Sequence, residues 1–181
     1  MITQHGSQRT VFVFPGLGVV IKIPISIVGL ISNYKFRRMP RQSTRSFWWC
    51  VRGTGLDIYK AVQVNWHEFT YYHQSRHPIL QPTYFSFFGL LNIQRYGLPF
   101  VMQCSEDYQG EMYLQMMALT DDGMRDCGGD PHHFRDPLNF GVEDGKLRIH
   151  DYGDPKTQKV LDKFGDVIYE KYDSERNYRW C

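Results

Sequence analysis

The spacing of apolar and polar residues changes several times along this chain, and each change predicts an element. Arg9–Phe14 (RTVFVF) and residues 19–23 (VVIKI) are β-branched and aromatic runs on either side of PGLG at 15–18, a strand, tight turn, strand pattern. Pro24 closes the second strand because it has no N–H to offer a ladder. Residues 61–74 (AVQVNWHEFTYYHQ) contain no Gly or Pro and carry apolar side chains at helical spacing. After two X-Pro steps, at His77-Pro78 and Gln81-Pro82, residues 83–94 (TYFSFFGLLNIQ) predict a strand. Residues 98–103 (LPFVMQ) predict another, with Tyr96-Gly97 as the turn between them. Residues 111–126 open with helix formers and fray at Asp121-Asp122-Gly123. A polar loop at 128–139 then leads to short strands at 140–142 and 146–150 around the turn Glu143-Asp144-Gly145. The last expected element is an amphipathic helix at 155–172, with Val160, Leu161, Phe164, Val167 and Ile168 on one face.

The stretch 32–60 follows neither period. It holds Lys35, Arg37, Arg38, Arg41, Arg45 and Arg52 around Phe47, Trp48 and Trp49, and reads as a partly helical insertion with a Gly-rich exit at 53–55. Arg and Trp interleaved in this way suit nucleic acid, and a basic segment also suits an acidic protein or an anionic membrane surface, so residues 35–52 are a candidate partner-binding segment. The charge of the whole chain is split in the same sense. Residues 1–104 carry 11 basic and two acidic side chains, Asp57 and Glu68, whereas residues 105–181 carry 17 acidic and 10 basic. Opposite charge on the two halves can hold them together, and a seam between them can hold a polyanion.

At 181 residues the chain is long enough to bury a core without disulfide or metal staples. Its four cysteines, at 50, 104, 127 and 181, form no C-x-x-C pair, which argues against a zinc site and for a reducing compartment. No charged start followed by an apolar run marks a signal peptide. The longest apolar run, 21–31, is short and interrupted by Lys22, Pro24, Ser26 and Gly29, so no transmembrane segment is expected. A cytoplasmic location follows from these readings.

The predicted order is strand, turn, strand with lysine, helix with glutamate, two strands, helix, polar loop, hairpin, Asp-Tyr-Gly. In that order the chain resembles the protein-kinase-like superfamily, including its shortened bacterial and phage members. The resemblance runs along nearly the whole chain but is carried by a few short motifs. Val20-Ile21-Lys22 resembles the strand whose lysine holds nucleotide phosphates, and Glu68, 46 residues later, would orient that lysine. Asp151-Tyr152-Gly153 resembles the Asp-Phe-Gly motif, and Asn139 precedes it by one hairpin, as the family's metal-binding Asn does. Mg²⁺ takes hard oxygen ligands and keeps room for phosphate and water, so Asn139 and Asp151 are its candidate ligands. Gly6-Ser7 lies where a Gly-rich phosphate loop would end, although no complete G-x-G-x-x-G is present. Met102 and Gln103 complete the nucleotide-binding set that the resemblance implies.

The catalytic base departs from the pattern. Five positions before Asn139 stands Phe134, which accepts no proton. Asp130, in Gly129-Asp130-Pro131-His132, and Asp136, three residues before Asn139, are the two candidates that would restore activity. The resemblance therefore implies an α+β fold reduced to a β-rich N-lobe at 1–103 and a truncated C-lobe at 104–181. It implies binding of ATP and Mg²⁺, and either phosphotransfer to a protein or small-molecule hydroxyl or an inactive pseudokinase acting as a binding or regulatory module. A basic-patch nucleic-acid binder of unrelated fold is the third reading.

Overall fold

Alternating apolar residues in β2 (Arg9–Phe14) and β3 (Val19–Pro24) drive the first hairpin. Its turn is a single 3-10 turn, Pro15–Leu17, closed by Gly18 at φ 65°, a left-handed backbone that glycine adopts without a Cβ penalty. In the computed structural model, residues 1–5, 9–24, 45–100, 109–110, 112–118, 132–143 and 145–171 are described. A strand that periodicity did not announce, β1 (Ile2–His5), pairs antiparallel with β2. With β4 (Thr83–Ser86) and β5 (Asn92–Arg95) these strands form an antiparallel sheet in the order β1-β2-β3-β5-β4. The long helix α1 (Arg45–Ser75) connects β3 to β4 and lies against β3, β4 and β5.

A second sheet has the order β6-β7-β8, from β6 (Leu98–Pro99), β7 (Phe140–Glu143) and β8 (Lys146–Ile149). Helix α2 at 112–118, the short α3 (His132–Arg135) and the terminal α4 (Pro155–Lys171) complete the described elements. The architecture is α+β with antiparallel strand pairing in both sheets. Its main core joins Met112 and Met116 of α2, Phe134 of α3, Phe140 and Val142 of β7, Leu147 and Ile149 of β8, and Val160, Leu161 and Ile168 of α4. Ile79 and Leu80, between α1 and β4, belong to the same cluster. That segment is stitched to β8: Ile149 N donates to Ile79 O (2.7 Å) and Gln81 N to Ile149 O (2.9 Å). The stitch fixes where His150 and Asp151 emerge relative to the five-stranded sheet.

Four expectations are corrected. The helix expected at 61–74 begins at Arg45 and runs through Gly53 and Gly55, so the glycines do not end it. Each costs about 1 kcal/mol relative to alanine in a helix, and the remaining residues of the 31-residue helix carry that cost. The strand expected over 83–94 is a hairpin, because Phe88 (φ 47°) and Gly89 (φ 76°) reverse the chain between β4 and β5. The expected 96–97 turn is a crossover instead. β5 belongs to the first sheet and β6 to the second, where β6 pairs with β7, and of the strand expected at 98–103 the described part is Leu98–Pro99. On α4 the buried stripe is Thr157, Val160, Leu161, Gly165 and Ile168, while Val167 is 48% exposed and Phe164 is partly covered. Of the helix expected over 111–126, residues 112–118 are helical and 119–126 lie outside the described residues.

Two glycines let the chain approach α1 closely. A Cβ on Gly89 would run into the carbonyl oxygen of Val62, and a Cβ on Gly153 into that of Val64. Gly89→Ala combines this collision with a positive φ, and the expected cost is about 2 kcal/mol or more in urea unfolding. Gly16→Ala, which meets nothing within 4 Å, is the control and is expected to stay within about 0.5 kcal/mol. Equal stability of the two variants would contradict the clamp.

Candidate functional site

Alternation along β3 places Lys22 on the same inward face as Val20, and both are buried. Val11 is the cross-strand partner of Lys22, so Arg9, two residues before Val11, shares that face. On α1, Ala61, Asn65 and Glu68 recur at helical spacing and are fully buried against the sheet. Three separate elements thus bring charged side chains into one interior layer. Lys22 Nζ donates to both Glu68 oxygens, at 2.9 and 3.0 Å. Arg9 Nη1 donates to Glu68 Oε2 (3.0 Å) and to Asn65 Oδ1 (3.2 Å), while its Nη2 bonds Asp151 Oδ1. Lys22 also donates to the carbonyl of His150, the residue before Asp151.

A frame of uncharged polar groups surrounds these four charges. Asn65 Nδ2 donates to Gly89 O (3.0 Å) and Asn92 Nδ2 to Asn65 O (2.7 Å), which locks α1 to the β4–β5 hairpin. Asn92 is itself the cross-strand partner of Lys22. Tyr152 is buried beside Tyr71 of α1, and its hydroxyl donates to Gln81 O (2.7 Å) and meets Thr83 Oγ1 at 2.7 Å. The hydroxyl bonds buried groups that Gln94 Nε2 also reaches, at 3.4 Å (Gln81 O) and 3.3 Å (Thr83 Oγ1), and it ties the Asp-Tyr-Gly segment to the start of β4.

Asn139 and Asp151 flank one imidazole. Asn139 Nδ2 lies 3.4 Å from His133 Nδ1 and donates to His133 O at 3.1 Å, and Asp151 Oδ2 lies 3.8 Å from the same Nδ1. The β7–β8 ladder sets this spacing, since His150 N donates to Asn139 O at 2.9 Å. With the amide nitrogen engaged on His133, Asn139 has its amide oxygen left to offer, and Asp151 supplies a carboxylate. Two hard oxygen donors from opposite ends of one hairpin fit Mg²⁺, which binds through one or two protein ligands and completes its shell with phosphate and water. Among the described residues no group of three or more His, Cys, Asp or Glu converges.

Electrostatics follow from burial. Desolvation alone would raise the Asp151 carboxyl, but the charges of Arg9, Lys22 and His133 outweigh it and hold the group well below the usual carboxylate range. Desolvation would likewise lower Arg9, and Asp151 and Glu68 reverse it, so the guanidinium is firmly charged. For Lys22 desolvation prevails over the attraction of Glu68, with Arg9 adding to it, and the ammonium is lowered from its ordinary value.

Of the residues singled out from sequence, Lys22 and Glu68 are in direct contact, and Asp151 joins them through Arg9. Asn139 reaches the same corner through His133. Asp136 is exposed and caps the turn at Pro137–Asn139, accepting from Leu138 N at 2.9 Å. Phe134, at the position where strict spacing puts the base, is a core residue with 1% exposure. Residues 132–139 are occupied by α3 and a 3-10 turn. Gly6, Ser7, Met102, Gln103 and Asp130 lie outside the described residues, as do residues 32–44 and the side chains of 45–57 in the basic stretch. Sequence reasoning missed Arg9, whose only signal is a cation at the inward phase of an otherwise apolar strand. No helix among the described residues is long and apolar enough to cross a membrane. Comparison with protein-family models, with curated proteins and with solved structures gives no match to this chain.

His150 supplies a test of this electrostatic layer. Burial first, and the Lys22 charge second, push its pKa from 6.5 down to about 4. The unfolded chain therefore takes up the proton first as pH falls. The contribution of neutral His150 is whole above about pH 6.5 and is lost between there and about pH 4. The expected loss on going from about pH 7 to about pH 4.5 is on the order of 2 kcal/mol in urea unfolding, and His150→Gln flattens that slope. An NMR titration of His150 at its ordinary pKa would contradict the account.

Proposed function

We propose that this chain is a reduced protein-kinase-like domain that binds ATP with Mg²⁺ and transfers phosphate to a hydroxyl. The observation that carries the reading is the buried Lys22–Glu68 ion pair, joined from strand and helix across 46 residues and linked to Asp151 through Arg9. A lysine on the third strand paired with a helix glutamate is the arrangement that kinases use to hold α- and β-phosphates. The element order is consistent with it. Gly6-Ser7 falls in the connection between β1 and β2, Lys22 is on β3, and Glu68 is on the helix before β4. On this reading the five-stranded sheet with α1 belongs to the N-lobe at 1–103, whose β6 pairs across the boundary with β7, and β7, β8 and α4 belong to the truncated C-lobe at 104–181.

The roles follow from chemistry. Lys22, fixed by Glu68, neutralises phosphate oxygens, and Asn139 and Asp151 hold Mg²⁺, whose charge offsets that developing on the phosphates. Gly6, Ser7, Met102 and Gln103 are assigned to nucleotide binding on the resemblance alone. Asp130 orients the acceptor hydroxyl, since Phe134 is committed to the core and Asp136 to a turn. A second reading, a nucleotide-binding module without transfer, is favoured by one observation: the Asp151 carboxylate is held by Arg9.

Asp151→Asn keeps the shape of the side chain and removes its charge. It is expected to weaken Mg·ATP binding about tenfold or more in calorimetry, equivalent to about 1.4 kcal/mol, while unfolding remains cooperative. Unchanged affinity counts against the metal site. Radiolabelled phosphate transfer to the protein itself and to a cell extract tests catalysis. Asp130→Asn is expected to cut turnover about a hundredfold with ATP affinity unchanged, because a group that orients the acceptor acts in the transition state. ATP binding by the wild type without any transfer selects the non-catalytic module, and loss of turnover in Asp136→Asn alone assigns the base to Asp136.

A further inference from the structure

Arg9 is the one charged member of the interior layer for which the nucleotide reading has no role. We propose that Arg9 is a polyphosphate-binding residue that, before nucleotide arrives, occupies the Asp151 carboxylate in place of a divalent cation. Metal and nucleotide then enter together, with the guanidinium passing from Asp151 to a phosphate oxygen. The inference rests on the reading of Asp151 as a metal ligand.

The two ends of the guanidinium are held differently. Nη1 is anchored inside, on Asn65 Oδ1 and Glu68 Oε2, whereas Nη2 reaches outward to Asp151. Glu68 loses no neutralisation when Nη2 lets go, because Lys22 already donates to both of its oxygens. Asp151 does lose its bonded cation, and a carboxylate 28% exposed, sharing His133 with Asn139, is then open to a metal ion. Charge bookkeeping supports the exchange. Arg9 and Lys22 balance Glu68 and Asp151, so the closed layer is neutral. A divalent ion arriving alone would leave two surplus positive charges in a buried site, whereas Mg²⁺ arriving with a nucleoside triphosphate brings anionic oxygens to receive both side chains. A guanidinium suits that transfer because its fork matches carboxylate and phosphate oxygens equally well.

Arg9 is the first residue of β2, and its cross-strand partner on β3 is Pro24, which has no N–H for the ladder.

The test uses Mn²⁺ alone, followed by water-proton relaxation, on the full chain. Wild type is expected to bind Mn²⁺ weakly. Arg9→Gln is expected to bind it at least tenfold more tightly, and Arg9→Gln with Asp151→Asn is expected to lose that gain. Metal-free ATP, measured with chelator present, is expected to bind Arg9→Gln about tenfold more weakly than wild type. If Arg9→Gln does not fold, Arg9→Lys keeps the charge but cannot span Asn65, Glu68 and Asp151 together, and it is expected to show a smaller Mn²⁺ gain. Unchanged Mn²⁺ affinity in the folded variant, or unchanged metal-free ATP affinity, overturns the proposal. Mg·ATP binding by wild type with no Mn²⁺ gain in the variant overturns it while the nucleotide reading stands. A Mn²⁺ gain that depends on Asp151, in a protein whose wild type and variants bind no ATP, upholds the carboxylate's occupation by Arg9 but overturns its passage to phosphate, together with the nucleotide reading.

Discussion

Glu68 is a carboxylate with no exposure to water, and its neutralisation is the constraint on which the rest of the structure depends. Removing an ion from water costs several kcal/mol even after relaxation, and breaking one partner of a buried pair typically costs about 3–5 kcal/mol. Lys22 from β3 and Arg9 from β2 must therefore both reach the same turn of α1. That requirement sets the rotation of the helix, the inward phase of both strands and their depth against the helix. Replacement of such a cluster by apolar residues is often neutral or stabilising, so stability alone gives no reason for four charges in this layer. The proposed receipt of a polyanion and a metal would give one.

The surrounding framework keeps the cluster in register. Gly89 and Gly153 bring two separate segments against the α1 backbone at Val62 and Val64, within about two turns of Asn65 and Glu68. Tyr152 is pinned by Gln81 and Thr83, so Asp151 leaves β8 with its direction fixed by the residue that follows it. The parallel bridge between Leu80 and Ile149 joins the two halves of the chain immediately before that point. The opposite charges of the two halves meet at the same place, where Asp151 from the acidic half faces Arg9 and Lys22 from the basic half.

Much of this was legible in the residues. Strands β2, β3, β7 and β8 and helix α4 follow from periodicity, because each presents an unbroken pattern between Pro, Gly or Asp-Gly boundaries. The Lys22–Glu68 contact followed from resemblance and not from spacing, since nothing local links residues 46 apart. The failures have physical causes. Residues 83–94 read as one strand although Gly89 offers a turn signal, because its partner in the reversal is Phe88 in a left-handed conformation, which side-chain chemistry does not advertise. Arg9 was missed because one cation in RTVFVF looks like an ordinary strand end. Its burial becomes visible only when the anions of α1 and β8 are folded against it.

Lys22 offers the most direct access to the central claim, because its ammonium is lowered by burial and it is the side chain assigned to the phosphates. An acyl-phosphate derivative of ATP transfers its acyl group to a lysine amine held beside the nucleotide phosphates, and peptide mass spectrometry reads the position. The account predicts that Lys22 is the acylated residue and that excess Mg·ATP suppresses the labelling. Labelling spread over exposed lysines such as Lys60, with no protection by Mg·ATP, would contradict it.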